Sequence, residues 1–265
     1  MTDELLVAEG LSKRFSVRGR IVTALDDVSF TIRRGETLGV VGPSGSGKST
    51  LASVLLRLSE PDAGRIRLQG KDWLALAPKE LRRRRGWIQM VFQDPLAAFS
   101  PRTTIGKAIM DPLRIHRIGA PSDRKRAVVG LLERVGLPAE LADRYIHEVS
   151  GGQRQRVALA RAIACKPKLV VLDEALSALD VSLRSRMLDL VARLQAEEDV
   201  SFLFIGHDPA VVRVISHRIA IMDHGRIVEM GPATDIFPSP ESQTGRELVA
   251  AMPSLPHRGR PHPEG

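Results

Sequence analysis

The chain has 265 residues, 43% hydrophobic and 26% charged, with a formal net charge of +8; these proportions are those of an ordinary soluble globular protein and fit one large folded domain or two small ones. No apolar run reaches the roughly 20 residues that a membrane-spanning helix needs, and the acidic start MTDELLVAEG lacks the basic and apolar regions of a secretory signal, so the expected compartment is the cytoplasm. The single cysteine, Cys165, excludes an internal disulfide and a cysteine-rich metal or iron–sulfur site, and reads as a small buried side chain on a helix.

The stretches VSFTIRRGET and RIRLQG alternate apolar and polar residues, as strands of a small antiparallel layer do. ETLGVVG (36–42) is a buried strand by pattern and is followed by a helical pattern at 48–58. WIQMVFQ (87–93) is the next strand, and from 94 to about 165 no strand pattern occurs, so this stretch reads as helices inserted between two strands of one sheet. KLVVLDE (168–174) and SFLFIGH (201–207) are strands followed by helical patterns at 182–196 and 208–215. Strand and helix in repetition argue a mainly parallel sheet covered on both faces, with ligands at the carboxyl ends of its strands. No internal repeat is present, which excludes two tandem copies of one domain. Beyond residue 236 the expectation is a short helix and then a Pro-containing basic tail without fixed structure.

Charge is unevenly spread. Between Lys79 and Arg126 twelve basic residues face four acidic ones, which accounts for the whole excess of +8. A local basic patch fits nucleic acid, the anionic cytoplasmic leaflet of a membrane, or a solvated face without a partner.

The chemistry gathers where strands end. Gly42, Pro43, Ser44, Gly45, Ser46, Gly47, Lys48, Ser49 and Thr50 spell GPSGSGKST, a Gly-x4-Gly-Lys-Ser loop between a strand and a helix. Amide groups of such a turn point inward and meet the helix N-terminus, so the loop binds phosphate oxygens; Lys48 would neutralise the β- and γ-phosphates of a nucleotide, and Ser49 would ligate Mg²⁺. No Asn-Lys-x-Asp follows, which argues against a guanine nucleotide. Asp173 would hold the Mg²⁺ water shell, and Glu174 is placed to polarise an attacking water. His207 would hydrogen-bond the γ-phosphate. Gln93 can reach both the metal and the water. Phe15, the aromatic nearest the N-terminal strand, would stack on adenine or else simply pack. VSGGQRQR (149–156) raises a separate question, because Ser150, Gly151, Gly152 and Gln153 open a helix and offer a second anion site in a chain that already has one. Either Ser150 is an ordinary helix cap, or the turn serves the nucleotide of a second copy placed head to tail.

These residues resemble the ATP-binding-cassette ATPases. GPSGSGKST looks like the Walker A loop, VFQDP the Q-loop, VSGGQ the signature, LVVLDE the Walker B strand, SALD (177–180) the D-loop with Asp180, and GHD the switch histidine, in the family's order and over nearly the whole chain. FQDPLAAFSPRTTIGKAIMDPL, the run through SGGQRQRVALARAIACKPKLVVLDEALSALDVS, and SQTGRELVAAMPSLP are similar to the second ATPase subunit of peptide and nickel importers. The sequence departs from the usual pattern at Ala175, Leu176, Gly206 and Ile146, none of which removes a group that touches phosphate, and it has no counterpart of the C-terminal cysteine cluster of some peptide-importer ATPases.

The resemblance implies an α/β fold of the P-loop NTPase, RecA-like type, with an antiparallel β subdomain and an inserted α-helical subdomain at about 94–165. It implies a nucleotide-binding domain over 1–235 and a C-terminal extension over 236–265. The implied activity is ATP hydrolysis with Mg²⁺, powering import of peptide or of nickel or another chelated metal at the cytoplasmic face of the inner membrane. The implied partners are a second ATPase subunit, identical or paralogous, two membrane-spanning permeases, and an external substrate-binding protein acting through them. No nucleic acid is expected in this setting. An exporter subunit, or a soluble cassette acting on nucleic acid or the ribosome, is the alternative.

Overall fold

The structure is a computed structural model and describes residues 3–176 and 180–252. Its strands are β1 (Glu4–Val17), β2 (Arg20–Arg33), β3 (Thr37–Val41), β4 (Ala63–Leu68), β5 (Lys71–Asp72), β6 (Ile88–Val91), β7 (Leu169–Asp173), β8 (Ser201–Ile205), β9 (Arg218–Asp223) and β10 (Arg226–Pro232). Its α-helices are α1 (Lys48–Leu55), α2 (Pro78–Arg84), α3 (Ile105–Ile115), α4 (Arg124–Arg134), α5 (Gly151–Ile163), α6 (Val181–Glu198), α7 (Pro209–Ile215), α8 (Ala233–Ile236) and α9 (Gln243–Ala250).

The strands form two sheets. One is antiparallel, in the order β2-β1-β4-β5; the other runs β10-β9-β3-β8-β7-β6, with every neighbouring pair parallel except β10 on β9. Strands such as LVVLD and SFLFI lack alternation because both of their faces are covered, as in other parallel sheets. The period of two still sorts their side chains. Leu169, Val171, Leu203, Ile205 and Leu38 join a core with the antiparallel sheet and Leu51 and Leu55 of α1, while Val170, Leu172, Phe202 and Phe204 join a second core with the helices on the other side. Trp73 fastens the first core: it is fully buried and its indole N–H donates to Leu55 O at 3.0 Å.

The fold bears out the α/β class, the mainly parallel sheet, the antiparallel layer and the inserted helices. Among the described residues 94–165 belong to no strand; α3, α4 and α5 pack together there around Ile109, Leu132 and Leu159. Several boundaries differ from expectation. The helix expected at 48–58 stops at Leu55, because Leu56 caps it and Arg57 turns left-handed (φ 51°). Cys165 lies two residues past the end of α5 rather than on it; it is buried, and burial pushes its thiol up to about 11. The β9–β10 hairpin was absent from the expected strands. Its two-residue turn, His224-Gly225, has both φ positive (44° and 80°), the geometry that joins twisted antiparallel strands.

The short helix expected beyond residue 236 is α9, preceded by the single turn of α8. Glu229 of β10 anchors its start, accepting hydrogen bonds from Glu241 N, Ser242 N and Ser242 Oγ at 2.9, 2.9 and 2.6 Å. Ser242 then caps α9 by accepting from Gly245 N at 2.9 Å. Burial works against ionisation of Glu229, but the Ser242 and Glu241 hydrogen bonds overcome it and hold its carboxyl below the ordinary glutamate value of 4.5. Because the folded value is the lower one, this contribution is complete above pH 4.5 and is lost as pH falls through the depressed folded value. Glu229→Ala should therefore speed amide hydrogen exchange over 243–250 and lower stability by about 1–2 kcal/mol at neutral pH, with the difference from the parent protein shrinking in melts below pH 4.

Candidate active site

The loop between β3 and α1 is held in place by contacts that leave no room for side chains. A Cβ at Gly42 would lie 2.0 Å from Met222 O, and one at Gly47, which is at φ 106°, would lie 2.3 Å from Ala24 O. Gly225 N donates to Ser46 O at 3.0 Å, so the β9–β10 turn forms the floor of the loop. Pro43, Ser44 and Gly45 stand exposed at its tip, Ser46 is buried, Ser49 is exposed and Thr50 is half-buried on α1. Lys48 is 7% exposed and its ammonium donates to Gly42 O, Pro43 O and Ser46 Oγ at 2.9, 2.8 and 3.2 Å, so all three of its protons are engaged across the loop. Burial lowers its pKa, and the nearby carboxylates of Glu174 and Asp173 partly restore it.

Asp173, at the end of β7, lies within reach of this loop even though β8 separates β7 from β3. Burial and then the Glu174 charge raise its pKa, opposed by a hydrogen bond from Ser49 and by the Lys48 charge. Its Oδ1 is buried without a hydrogen-bond partner. An orphaned carboxylate oxygen beside a serine hydroxyl is a hard oxygen donor set, and it fits a divalent cation of the Mg²⁺ type.

Glu174 follows in the left-handed region at φ 47°, with its N–H donating to Ile205 O at 2.9 Å. That conformation is costly for a glutamate, and the hydrogen bond to β8 fixes it. It turns the side chain toward His207, whose Nδ1 is 3.5 Å from Glu174 Oε2. Gln93 lies two residues past the end of β6 rather than at it, and shares with Asp173 a cavity of about 350 Å³. Lys48, Ser49, Asp173, Glu174, His207 and Gln93 thus converge at one end of the parallel sheet.

The other candidates are Phe15, the SGGQ turn and Asp180. Phe15 is 39% exposed on β1, opposite Val22 of β2, with the Lys13 ammonium 5.4 Å from its ring centre. Ser150 and Gln153 form a reciprocal capping box: Ser150 Oγ accepts from Gln153 N at 3.3 Å and Gln153 Oε1 accepts from Ser150 N at 2.9 Å. Gly151 is exposed, whereas a Cβ on buried Gly152 would meet Leu183 Cδ1 at 3.2 Å, so the turn rests on the first turn of α6. Asp180 caps α6 there, accepting from Leu183 N at 2.8 Å and Ser182 Oγ at 2.9 Å, and these bonds lower its pKa. Residues 177–179 of the SALD stretch lie outside the described residues. Among the described residues, no hydrogen bond joins the SGGQ turn to the 42–49 loop.

Two features were not expected from sequence. One is Gln155, a buried amide on α5 whose Nε2 donates to Gln93 O at 3.3 Å. The sequence signal was a polar residue on the buried face of a helix, in line with Gly152 and Leu159. The other is an apolar groove of about 280 Å³ between α3, α5 and β6, bordered by Leu58 and Ile115, which are 62% and 65% exposed, and by Phe92, Arg85 and His116.

The ABC transporter family model matches residues 25–177. Over 267 residues the chain is 48% identical to the glutathione import ATP-binding protein GsiA of Salmonella paratyphi A, covering 98% of this chain and 43% of that one. Over 260 residues it is 45% identical to the probable peptide ABC transporter ATP-binding protein y4tS of Sinorhizobium fredii, covering 96% and 74%. The chain thus spans less than half the length of the glutathione-import relative. Among solved structures it superposes on cbiO1 from Clostridium perfringens, part of the ABC transporter complex cbiONQ, with a TM-score of 0.80 and 28% identity over 90% of this chain and 92% of that one. It also superposes on the dimeric ATP-binding cassette MJ0796 bound to ADP and Pi, with a TM-score of 0.77 and 27% identity over 86% and 98%. With its phosphate loop, carboxylate pair and capped SGGQ turn set on this fold, the chain belongs to the ABC transporter family.

Proposed function

We propose that the protein is the ATP-hydrolysing subunit of an importer for small peptides, working as a head-to-tail pair of cassettes. The observation that carries this reading is the convergence of Lys48, Ser49, Asp173, Glu174 and His207 at one strand end, together with a capped SGGQ turn that, among the described residues, makes no hydrogen bond to the 42–49 loop. Residues 1–235 form the nucleotide-binding unit, with 94–165 as its helical part and 236–265 as an extension.

In this reading the 42–47 amides and Lys48 hold the nucleotide phosphates, Lys48 exchanging its three loop acceptors for phosphate oxygens. Ser49, Asp173 and Gln93 would hold Mg²⁺, which supplies positive charge against the phosphates. Glu174 accepts a proton from the attacking water, and His207, whose Nδ1 lies 3.5 Å from Glu174 Oε2, steadies the γ-phosphate and the glutamate together. Phe15 offers its exposed face to adenine. Ser150, Gly151, Gly152 and Gln153, with Asp180 beside them, present a helix N-terminus to the nucleotide of the facing cassette. The capping box and this role are compatible, because the cap orders the turn and leaves Gly151 facing outward.

The apolar groove beside α3 fits a permease segment, and the basic residues that border it suit a surface facing the membrane side. Among the described residues no helix is long and apolar enough to cross a membrane, and we place the subunit peripherally at the cytoplasmic face. The peptide cargo follows the names of the relatives, which are glutathione and peptide importers.

Glu174→Gln should lower steady-state hydrolysis by roughly a hundredfold or more while nucleotide binding persists, as measured by phosphate release and by equilibrium binding of labelled ATP. Ser150→Asp keeps a good helix cap and adds a negative charge where a facing phosphate would sit. It should leave the melting temperature unchanged and abolish ATP-dependent dimerisation in analytical ultracentrifugation; dimers forming as in the parent protein would contradict the reading.

A further inference from the structure

We propose that Gln155 is a positioning residue that ties the SGGQ helix to the active-site glutamine, so that the place of Gln93 depends on the place of α5. The inference rests on the reading above, in which Gln93 serves the cassette's own nucleotide and the start of α5 serves the partner's.

Gln155 is 2% exposed, five residues into the helix that Ser150 caps. Its Nε2 donates to the backbone carbonyl of Gln93, while its Oε1 is buried without a partner. Leaving an amide oxygen unpaired in the interior is unfavourable, and a methionine or leucine of similar size would avoid that cost. The donor is therefore the part of the side chain that the fold uses. A second clamp lies two turns further on, where Arg161 Nη1 donates to Ala98 O at 2.6 Å and its guanidinium lies 5.2 Å from the Phe99 ring centre. Between these clamps Asp94 closes a short turn by accepting from Leu96 N at 2.9 Å. The 93–99 segment is thus carried on α5 at both ends; Gln93 and Ala98 both line the cavity shared with Asp173, and Gln155 holds Gln93 while Arg161 holds Ala98. A movement of the SGGQ turn toward a facing nucleotide would pull on Gln93 itself through the Gln155 hydrogen bond. In a head-to-tail pair that links one nucleotide site to the other.

The test is a double-mutant cycle on the complete protein, combining Gln155→Met with Gln93→Ala. Gln93→Ala keeps the carbonyl that Gln155 grips and removes the side chain that the grip positions. In the parent background Gln155→Met should lower kcat roughly tenfold with KM for ATP changed less than about twofold, and should speed hydrogen exchange of the 93–99 amides. In the Gln93→Ala background, itself slow, the same substitution should lower kcat by less than about twofold, since both changes act on one interaction. An equal loss in both backgrounds would assign Gln155 an independent structural role and overturn the proposal. If Gln93→Ala alone left kcat intact, the role given to Gln93 in hydrolysis would fail, and the proposal with it. Should Gln155→Met not fold, Gln155→Glu, which keeps the length and loses the donor at neutral pH, is measured in the same cycle.

Discussion

The structure depends on one tight fit, the seating of the phosphate loop against β2 and the turn between β9 and β10. Gly42 abuts Met222 O, Gly47 abuts Ala24 O, and Ser46 O accepts from Gly225 N. Because backbone meets backbone there, the loop cannot move without moving the sheet edge. That rigidity holds a buried ammonium, Lys48, across the loop and within electrostatic reach of two carboxylates on a strand two places away. In the proposed function the loop's amide donors are already oriented for phosphate, while Lys48 exchanges its loop acceptors for phosphate oxygens.

Much of this was legible in the sequence because the relevant signals are local. GPSGSGKST is contiguous, and LVVLDE places a carboxylate pair at the end of a continuous apolar run. What the sequence hid was non-local. The β9–β10 hairpin reads as RIAIMDHGRIVEM, and only its pairing with β3 shows that it forms the loop's floor. Gln155 looked like one more polar residue of a helix until α5 was laid against the loop after β6. The left-handed backbone of Glu174 has no residue-type signal, since glutamate is not a residue that favours it. The boundary differences, three residues at the end of α1 and two at Cys165, fall at helix ends where capping decides.

The SGGQ turn shows how a structural role and a binding role can share residues. Within one chain Ser150 and Gln153 satisfy each other, and Gly152 is small because Leu183 packs on it. Those contacts explain the sequence locally without any ligand. They also leave the turn ordered, uncharged and facing outward, which is what a site completed by another molecule requires. Helix α5 joins that turn to Gln93 over five residues of rigid helix, so the turn and the loop after β6 are mechanically connected. In the proposed head-to-tail pair, this link would couple closure of the pair to hydrolysis.

The most direct measurement mixes two disabled variants. Lys48→Ala spoils the phosphate loop and Ser150→Asp spoils the SGGQ turn, so neither variant alone can assemble an intact site between facing chains. If the turn acts on the facing chain's nucleotide, a mixed pair contains one site built from the intact loop of one chain and the intact turn of the other, and ATP hydrolysis returns when the proteins are combined. If each chain completes its own site, the mixture stays as inactive as its components, and the head-to-tail account is contradicted.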